Sequence, residues 1–280
     1  MFVFVICNHN QVFSEEFIFE VSDLEITENG NLYKGNNRGT VRTDNQLQLT
    51  SNNFEYLKKI NRLEANGDVD IFDLNNNITI NAQQIFYLKS EEKIFTVGKT
   101  LIKISNKYNI EGFDLTFFKN KMILSSKKNA IITDSESNTY KLEQFQYSID
   151  KEILKGKNIT AIINDKKNKS DEFFFKTGFF DLKKNKFLGK DIVAKFHKDL
   201  FENNKNDPRI SAVSGYGDKI NTYFKKGVFT SCKKTDRCPP WKITSGEIHH
   251  DKIKKQIAYK NAWLEIYDFP VVYFPKFFHP

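Results

Sequence analysis

The chain has 280 residues, enough for one large or two ordinary domains with a sizeable buried core. Lysine and arginine number 43 against 35 aspartate and glutamate, so the net charge is +8, and the basic residues are spread along the chain. This spread disfavours a dedicated nucleic-acid-binding protein, which concentrates its basic residues. Aromatic residues make up 14% of the chain, with only 13 glycines and 6 prolines, which excludes collagen-like, linker and disordered classes.

The first thirteen residues allow two interpretations. Met1 to Ile6 are almost all apolar and precede a polar segment at residues 8–10. Residues 1–13 are therefore interpreted either as the remnant of a secretory signal peptide, whose basic n-region is missing, or as a buried first strand. No apolar run in the sequence approaches the ~20 residues that a membrane-spanning helix needs.

Short segments that alternate apolar with polar residues recur along the chain. This period of two is typical of half-buried β-strands, whereas a helical period is sustained almost nowhere. Turn-forming clusters of Asn, Asp and Lys separate the segments. Examples of the alternating, strand-like segments are residues 68–72, 77–81, 101–105 and 191–196. The sequence therefore predicts an all-β protein.

Glycines are spaced regularly through the predicted strands. The gaps are 32, 31, 58 and 33 residues between Gly35, Gly67, Gly98, Gly156 and Gly189, so the third gap is close to two periods. Aromatic residues precede most of these glycines by about ten positions. A unit of ~30 residues cannot bury its own apolar face, so the spacing predicts stacked β-repeats over residues 14–205 that share one elongated core.

The organisation changes after residue 205. All six prolines lie at or after Pro208, and both tryptophans and two of the three cysteines lie in residues 206–280. We expect this segment to differ from the repeats that precede it.

The common catalytic signatures are absent, including phosphate-binding loops, the serine elbow and the metalloprotease helix. The adjacent pair His249 and His250 lies in a strand-like segment, so alternation places the two side chains on opposite faces. No catalytic residue, cofactor or metal is predicted. A carbohydrate-active β-helix enzyme would need carboxylates clustered on one sheet face, but Asp and Glu fall mostly in turns.

The cysteines are candidates for disulfides. Cys232 and Cys238 are six residues apart, whereas structural zinc sites usually need closer pairs and four converging ligands. In an oxidising compartment the two could bond to each other, or one could bond a distant partner.

Four stretches near the C-terminus occur in a specific order: GVFTSC at residues 227–232, CPPWKITS at 238–245, AWLEI at 262–266 and FPVVYFP at 269–275. This order resembles the end of the periplasmic domain of the LptD family, the lipopolysaccharide-assembly or organic solvent tolerance (OstA) proteins. The upstream repeats resemble the OstA/LptA-like β-taco, an open β-jellyroll of stacked antiparallel strands around a lipid groove. In that family the His-Pro end leads into a long β-barrel, which is absent from this sequence.

The resemblance implies a non-catalytic lipopolysaccharide transport module. Such a module receives lipopolysaccharide from a periplasmic LptA-like bridge and delivers it to an outer-membrane translocon made of a lipoprotein plug and a β-barrel. It implies the periplasm or outer membrane of a Gram-negative bacterium, with no nucleic-acid partner. The family's inter-domain disulfide would fall on Cys232, with Cys238 as a second nearby thiol and Cys7 at the place of the N-terminal cysteine.

The groove expected from this resemblance would be lined by alternating β-branched side chains, although the same positions suit an ordinary core. An alternative function is a β-repeat scaffold that docks partners in outer-membrane assembly and binds no lipid. The candidate groove residues are Ile71, Ile80, Ile104, Ile131, Ile162 and Val193.

Overall fold

The chain folds into antiparallel β-strands in two compact units, Met1–Ser135 and Glu136–Pro280. In the part that the structure describes, the only helical segments are four 3₁₀ turns. The predicted all-β class is confirmed, and the stacked antiparallel strands agree with the jellyroll or β-taco class. This computed structural model describes residues 11–13, 17–44, 46–164, 170–197, 206–233 and 239–279.

The first unit contains fourteen described strands, and the 3₁₀ turns lie between them at Glu28–Gly30, Lys58–Ile60, Lys89–Glu91 and Lys119–Lys121. The strands are β1 (Gln11–Phe13), β2 (Ile18–Glu20), β3 (Asp23–Thr27), β4 (Leu32–Asn36), β5 (Gly39–Arg42), β6 (Leu47–Ser51), β7 (Asn53–Leu57), β8 (Arg62–Asp73), β9 (Ile78–Leu88), β10 (Lys93–Ile104), β11 (Tyr108–Phe113), β12 (Thr116–Phe118), β13 (Ile123–Ser126) and β14 (Ala130–Asp134).

The second unit contains ten described strands, and from β16 onward each strand pairs with the next one along the chain. The strands are β15 (Thr139–Leu142), β16 (Gln144–Ser148), β17 (Ile153–Asn164), β18 (Ser170–Asp181), β19 (Lys186–Lys195), β20 (Arg209–Gly217), β21 (Asn221–Thr230), β22 (Trp241–Asp251), β23 (Gln256–Ile266) and β24 (Phe269–His279).

The long strands of the first unit bend near their centres. The first half of β8 pairs with β7 and the second half with β6, so β6 and β7 are the two halves of one bent strand. The pairing of β8 with β9 shifts register between Asn66 and Val69, and that of β10 with β9 shifts between Val97 and Thr100. Gly67 and Gly98 lie in these bulges with φ of 81° and 80°. Glycine suits this conformation best because it has no β-carbon, although Asp68 beside Gly67 also has a positive φ, of 50°.

The 3₁₀ turns of the first unit stack on one another. They begin at residues 28, 58, 89 and 119, so the intervals of 30, 31 and 30 residues are close to the repeat of ~30 residues that the glycine spacing predicts. The Lys58 N–H donates to the Asn31 carbonyl at 2.8 Å, the Lys89 N–H to Asn61 at 3.0 Å, and the Lys119 N–H to Glu92 at 2.8 Å. Each turn therefore satisfies a backbone group of the turn before it.

An aromatic cluster fills the core of the first unit. Phe17 packs edge-on against Tyr56 at 4.8 Å between ring centroids and against Tyr87 at 5.9 Å. The Tyr56 hydroxyl donates to Asn61 Oδ1 and the Tyr87 hydroxyl to Glu92 Oε2, both at 2.9 Å. The same tyrosines thus contribute to the core and fix the stacked turns.

Two predicted segment boundaries can be compared with these units. Within segment 1–13, residues 11–13 form β1, which pairs with β2, while residues 1–10 lie outside the described residues. The boundary predicted at residues 205 and 206 falls inside the second unit, where β19 and β20 pair directly across it. A change in composition marks that position, but hydrogen bonding continues through it.

Replacing Gly98 by alanine tests the need for glycine at the bend. A β-carbon at Gly98 would have no atom within 4 Å, so the change adds backbone strain without a steric clash. We expect Gly98→Ala to lower the free energy of unfolding by about 1–2 kcal/mol, measured by urea denaturation.

The matched control is Gly246→Ala in β22. Gly246 has no positive φ, and its added β-carbon would meet nothing closer than 3.5 Å. A loss of stability at Gly246 as large as that at Gly98 would contradict the assignment of strain to the bend.

Candidate functional site

Four glycines form a continuous row across neighbouring strands of the second unit. Gly156 of β17 is the Cα partner of Gly178, Gly178 of Gly189, and Gly189 of Gly215. Their positions face the interior, because a β-carbon at Gly178 would come within 2.8 Å of both Ile159 and Phe180. The row leaves space for bulky side chains to lie against the backbone.

Phenylalanine rings occupy the space above this glycine row. Phe175 packs edge-on against Phe180 at 5.2 Å and 90°, and against Phe187 at 5.5 Å and 65°. Phe173 stacks on Phe175 at 6.3 Å, and Tyr140 packs edge-on against Phe180 at 5.7 Å. Such edge-to-face pairs are favourable.

A cavity of about 280 Å³ opens beside these rings. Its wall includes the aromatic side chains together with Ala161 and Ile163. This volume lies near the lower end of the range for small-molecule pockets.

Charged residues surround the mouth of this cavity. Lys219 pairs with Glu136 at 3.0 Å. Asp218 accepts hydrogen bonds from the backbone N–H groups of Asn221 and Ile220, at 2.8 and 2.9 Å, and these bonds lower the pKa of its carboxyl group. Asp181 likewise accepts the backbone N–H of Lys184 at 2.9 Å.

Two further lysines at the mouth, Lys186 and Lys252, form no ion pair with any residue that the structure describes. The carboxylates beside them accept backbone N–H groups or pair with Lys219, and the charge of Lys186 also contributes to the lowered pKa of Asp218. The arrangement therefore combines an apolar interior with two ammonium groups at the entrance that can meet an anion.

Three of the sequence-predicted groove residues lie in the core of the first unit. Ile71, Ile80 and Ile104 are 1%, 2% and 4% exposed, and Ile71 is the Cα partner of Ile80. They point to the buried face as alternation predicts, but they are not part of the cavity of the second unit.

The other three groove candidates lie on the opposite face of their strands, so the predicted face is corrected for them. Ile131 is 40% exposed while its neighbour Ile132 is 1% exposed, and Ile162 and Val193 are half-buried on the outside. The alternating pattern could not assign these faces, because in each segment apolar residues occupy both the odd and the even positions of the strand. Residues with positive φ at bends, such as Asn158 and Asp191, also shift the phase along the strand.

Of the cysteines, only Cys232 belongs to the described residues; Cys7 and Cys238 lie outside them. Cys232 forms no disulfide within the described part of the chain. Its Sγ lies 3.6 Å from the Trp241 carbonyl, and its own carbonyl accepts from Arg209 at 2.6 Å. The predicted disulfides stay predictions.

The two adjacent histidines do face opposite sides of β22. His250 is buried against Phe196 at 5.1 Å between ring centroids, whereas His249 stacks on Tyr223 outside. Among the described residues, no three or more His, Cys, Asp and Glu side chains group as metal ligands.

Sequence reasoning missed the aromatic residues of the cavity. The signal that could have found them is local: Phe173, Phe174 and Phe175 are consecutive, and Phe179, Phe180 and Phe187 follow close behind. The rings of Phe175 and Phe180 fit in the interior only because Gly189 and Gly178 have no side chain.

No family model and no curated protein matches this chain. No helix among the described residues is long and apolar enough to cross a membrane.

The burial of His250 predicts a pH-dependent stability. Burial, with smaller effects from Lys252 and His249, lowers the pKa of His250 from 6.5 to about 4, and Asp251 opposes this. The unfolded chain therefore binds a proton below pH 6.5 that the folded chain refuses until about pH 4. The stabilisation is complete above pH 6.5 and decreases as the pH falls. We expect His250 to contribute a loss of about 2 kcal/mol between pH 7 and pH 5.

The measurement is urea denaturation at both pH values for the natural chain, His250→Leu and His249→Gln. Leucine at position 250 should remove most of the loss, whereas glutamine at the half-buried position 249 should keep it. An equal pH dependence in the natural chain and His250→Leu would refute the assignment.

Proposed function

We propose that this chain is a non-catalytic transport module for lipopolysaccharide. It would receive the lipid from a periplasmic LptA-like bridge and deliver it to an outer-membrane translocon formed by a lipoprotein plug and a β-barrel. The observation that carries this proposal is the aromatic cavity of the second unit with Lys186 and Lys252 at its mouth. The order of motifs in residues 227–280 supports lipopolysaccharide as the particular lipid.

The chemistry of the site suits an anionic amphiphile. An acyl chain entering between Phe173, Phe175, Phe180 and Phe187 leaves water for an apolar wall, which is favourable in proportion to the buried area. The phosphates of a lipid head group would remain at the mouth, near Lys186 and Lys252. Transfer along such a path requires binding and release but no covalent step.

The stacked antiparallel architecture agrees with this function. Each hairpin adds two strands to the same ladder, so apolar interior positions continue from strand to strand. Continuity of this kind suits a lipid that is passed along rather than held at one point.

Placing a charge in the cavity tests the proposal. Phe187 is half-buried and lines the cavity, so Phe187→Asp would put a carboxylate among apolar rings. We expect at least a tenfold loss of lipopolysaccharide binding, because an acyl chain cannot satisfy a buried charge. Native mass spectrometry of the full chain with lipopolysaccharide, with a neutral detergent as competitor, measures the adduct.

The matched control is Phe95→Asp, at a half-buried phenylalanine of the first unit that stacks on Phe86 at 4.8 Å. It should keep the adduct. Equal binding by Phe187→Asp and the natural chain, both folded by circular dichroism, would place the lipid elsewhere and remove the main support for the proposal.

A second candidate function is the docking scaffold that binds no lipid. Exposed apolar side chains on β24 favour it, among them Phe269 and Phe278, which are 75% and 64% exposed. A folded chain that forms no lipid adduct would support this alternative.

A further inference from the structure

A row of lysines crosses the outer face of the second unit. Residues that are Cα partners in an antiparallel ladder lie on the same face, so the register from β17 to β24 defines the row. Its members alternate with Thr177, Ser214 and Glu247 on the strands between them. The lysine row consists of Lys157, Lys190, Lys225, Lys260 and Lys276.

A second row of side chains runs beside the lysine row, at positions two residues away from it on each strand. It is mostly apolar and aromatic, and Leu188, Tyr216 and Phe278 are 56%, 43% and 64% exposed. The apolar row consists of Phe179, Leu188, Tyr216, Tyr223, His249 and Phe278. Large apolar side chains in line on an outer sheet face mark an interaction surface more often than a solvated one.

Positive charge dominates this face. Lys155, Lys176 and Lys226 are exposed within two residues of the lysine row's register, Lys155 at the β17 position opposite Phe179. The carboxylates nearest to the row along the strands are those of Glu247 and Asp191. Glu247 pairs with Lys225, which lowers the pKa of its carboxyl group. Within the described part of the chain, Lys157, Lys190 and Lys260 form no ion pair, although Lys260 lies opposite Glu247 and contributes to the lowered pKa of that carboxyl group.

The two rows have the dimensions of an extended contact surface. From β17 to β24 there are seven strand spacings of ~4.8 Å, so the lysine row is about 34 Å long, and the apolar row, from β18 to β24, is about 29 Å long. Two residues along a strand separate the rows by about 7 Å. A partner must therefore offer negative charge and an apolar layer side by side along this length.

We propose that this outer face of the second unit attaches the protein to a membrane surface rich in anionic phosphate head groups. The lysine row meets the phosphates, while Leu188, Tyr216 and Phe278 enter the boundary between head groups and acyl chains. Lysines with aromatic residues at the same level are the combination that interfacial attachment uses. This attachment goes beyond the proposed transport function and uses none of the residues of the cavity.

The ring contacts favour a membrane over a nucleic acid strand. Tyr216 stacks on Tyr223 at 5.1 Å and 17°, and Tyr223 stacks on His249 at 4.3 Å and 3°. Proteins that bind single strands need free aromatic faces for the bases. Here the central rings cover each other's faces, and the row presents ring edges together with the aliphatic Leu188.

The test is sedimentation of the full chain with vesicles of equal parts phosphatidylglycerol and phosphatidylethanolamine, compared with vesicles of phosphatidylcholine alone. We expect binding to the anionic vesicles that weakens as salt is added. The triple variant Lys157→Gln, Lys190→Gln and Lys260→Gln should lose at least tenfold in partition coefficient, since each lysine near an anionic surface changes it by about fivefold. Leu188→Ser should weaken binding without changing its salt dependence.

The matched control carries the same charge change on the first unit, at the exposed lysines Lys59, Lys103 and Lys127, and should bind like the natural chain. An equal loss of vesicle binding in both triple variants would mean that binding depends only on the net charge of the chain, and would overturn the proposal. Equal binding to phosphatidylcholine, or capture by an oligothymidylate without vesicle binding, would overturn it as well.

Phe187→Asp separates this proposal from the transport function. It should lose lipopolysaccharide but keep vesicle binding, whereas the lysine triple variant should keep the lipopolysaccharide adduct. Loss of vesicle binding in Phe187→Asp would assign the vesicle signal to the cavity and contradict attachment through the outer face.

Discussion

The structure depends on the register between bent strands. Backbone hydrogen bonds continue on both sides of each bend. Each long strand must therefore place its bend opposite a position of the neighbouring strand that accommodates the bent backbone. Gly67 and Gly98 meet this requirement with positive φ in the first unit, and in the second unit Asn158, Asp191, Lys226 and Asn261 adopt positive φ at the same level of alternate strands. Asn and Asp tolerate this conformation better than most residues, which explains part of that choice. Each bend also changes which alternate residues of the strand face the interior. The face on which a side chain beyond the bend lies therefore depends on the bend.

The same register produces two different surfaces in the second unit. On the inside, the row Gly156, Gly178, Gly189 and Gly215 has no side chains, so Phe175 and Phe180 lie against the backbone and a cavity remains beside them. On the outside, the adjacent position carries Lys157 in β17 and Lys190 in β19, with Thr177 and Ser214 on the strands that alternate with them. The apolar interior and the cationic exterior are thus neighbouring residues of the same strands.

The two units use aromatic residues differently. In the first unit, Tyr56 and Tyr87 fill the core and donate hydrogen bonds to the stacked turns, which stabilises the repeat itself. In the second unit, phenylalanines with no polar group surround a cavity with charged residues at its mouth. A wall that is mainly apolar is suited to an acyl chain, which needs no hydrogen bonds.

The sequence by itself determined the all-β class, the period of about 31 residues, and the opposite faces of His249 and His250, because these depend on local alternation and spacing. It also indicated the buried positions of Ile71, Ile80 and Ile104. It could not assign Ile131, Ile162 and Val193, whose neighbours are apolar in both phases. The phenylalanine cavity, the lysine row and the extent of the second unit across residue 205 were decided only by the tertiary structure. The physical reason is that cross-strand register brings together residues from up to eight strands, and the alternation of apolar and polar residues within one strand does not specify which residue of the next strand lies opposite.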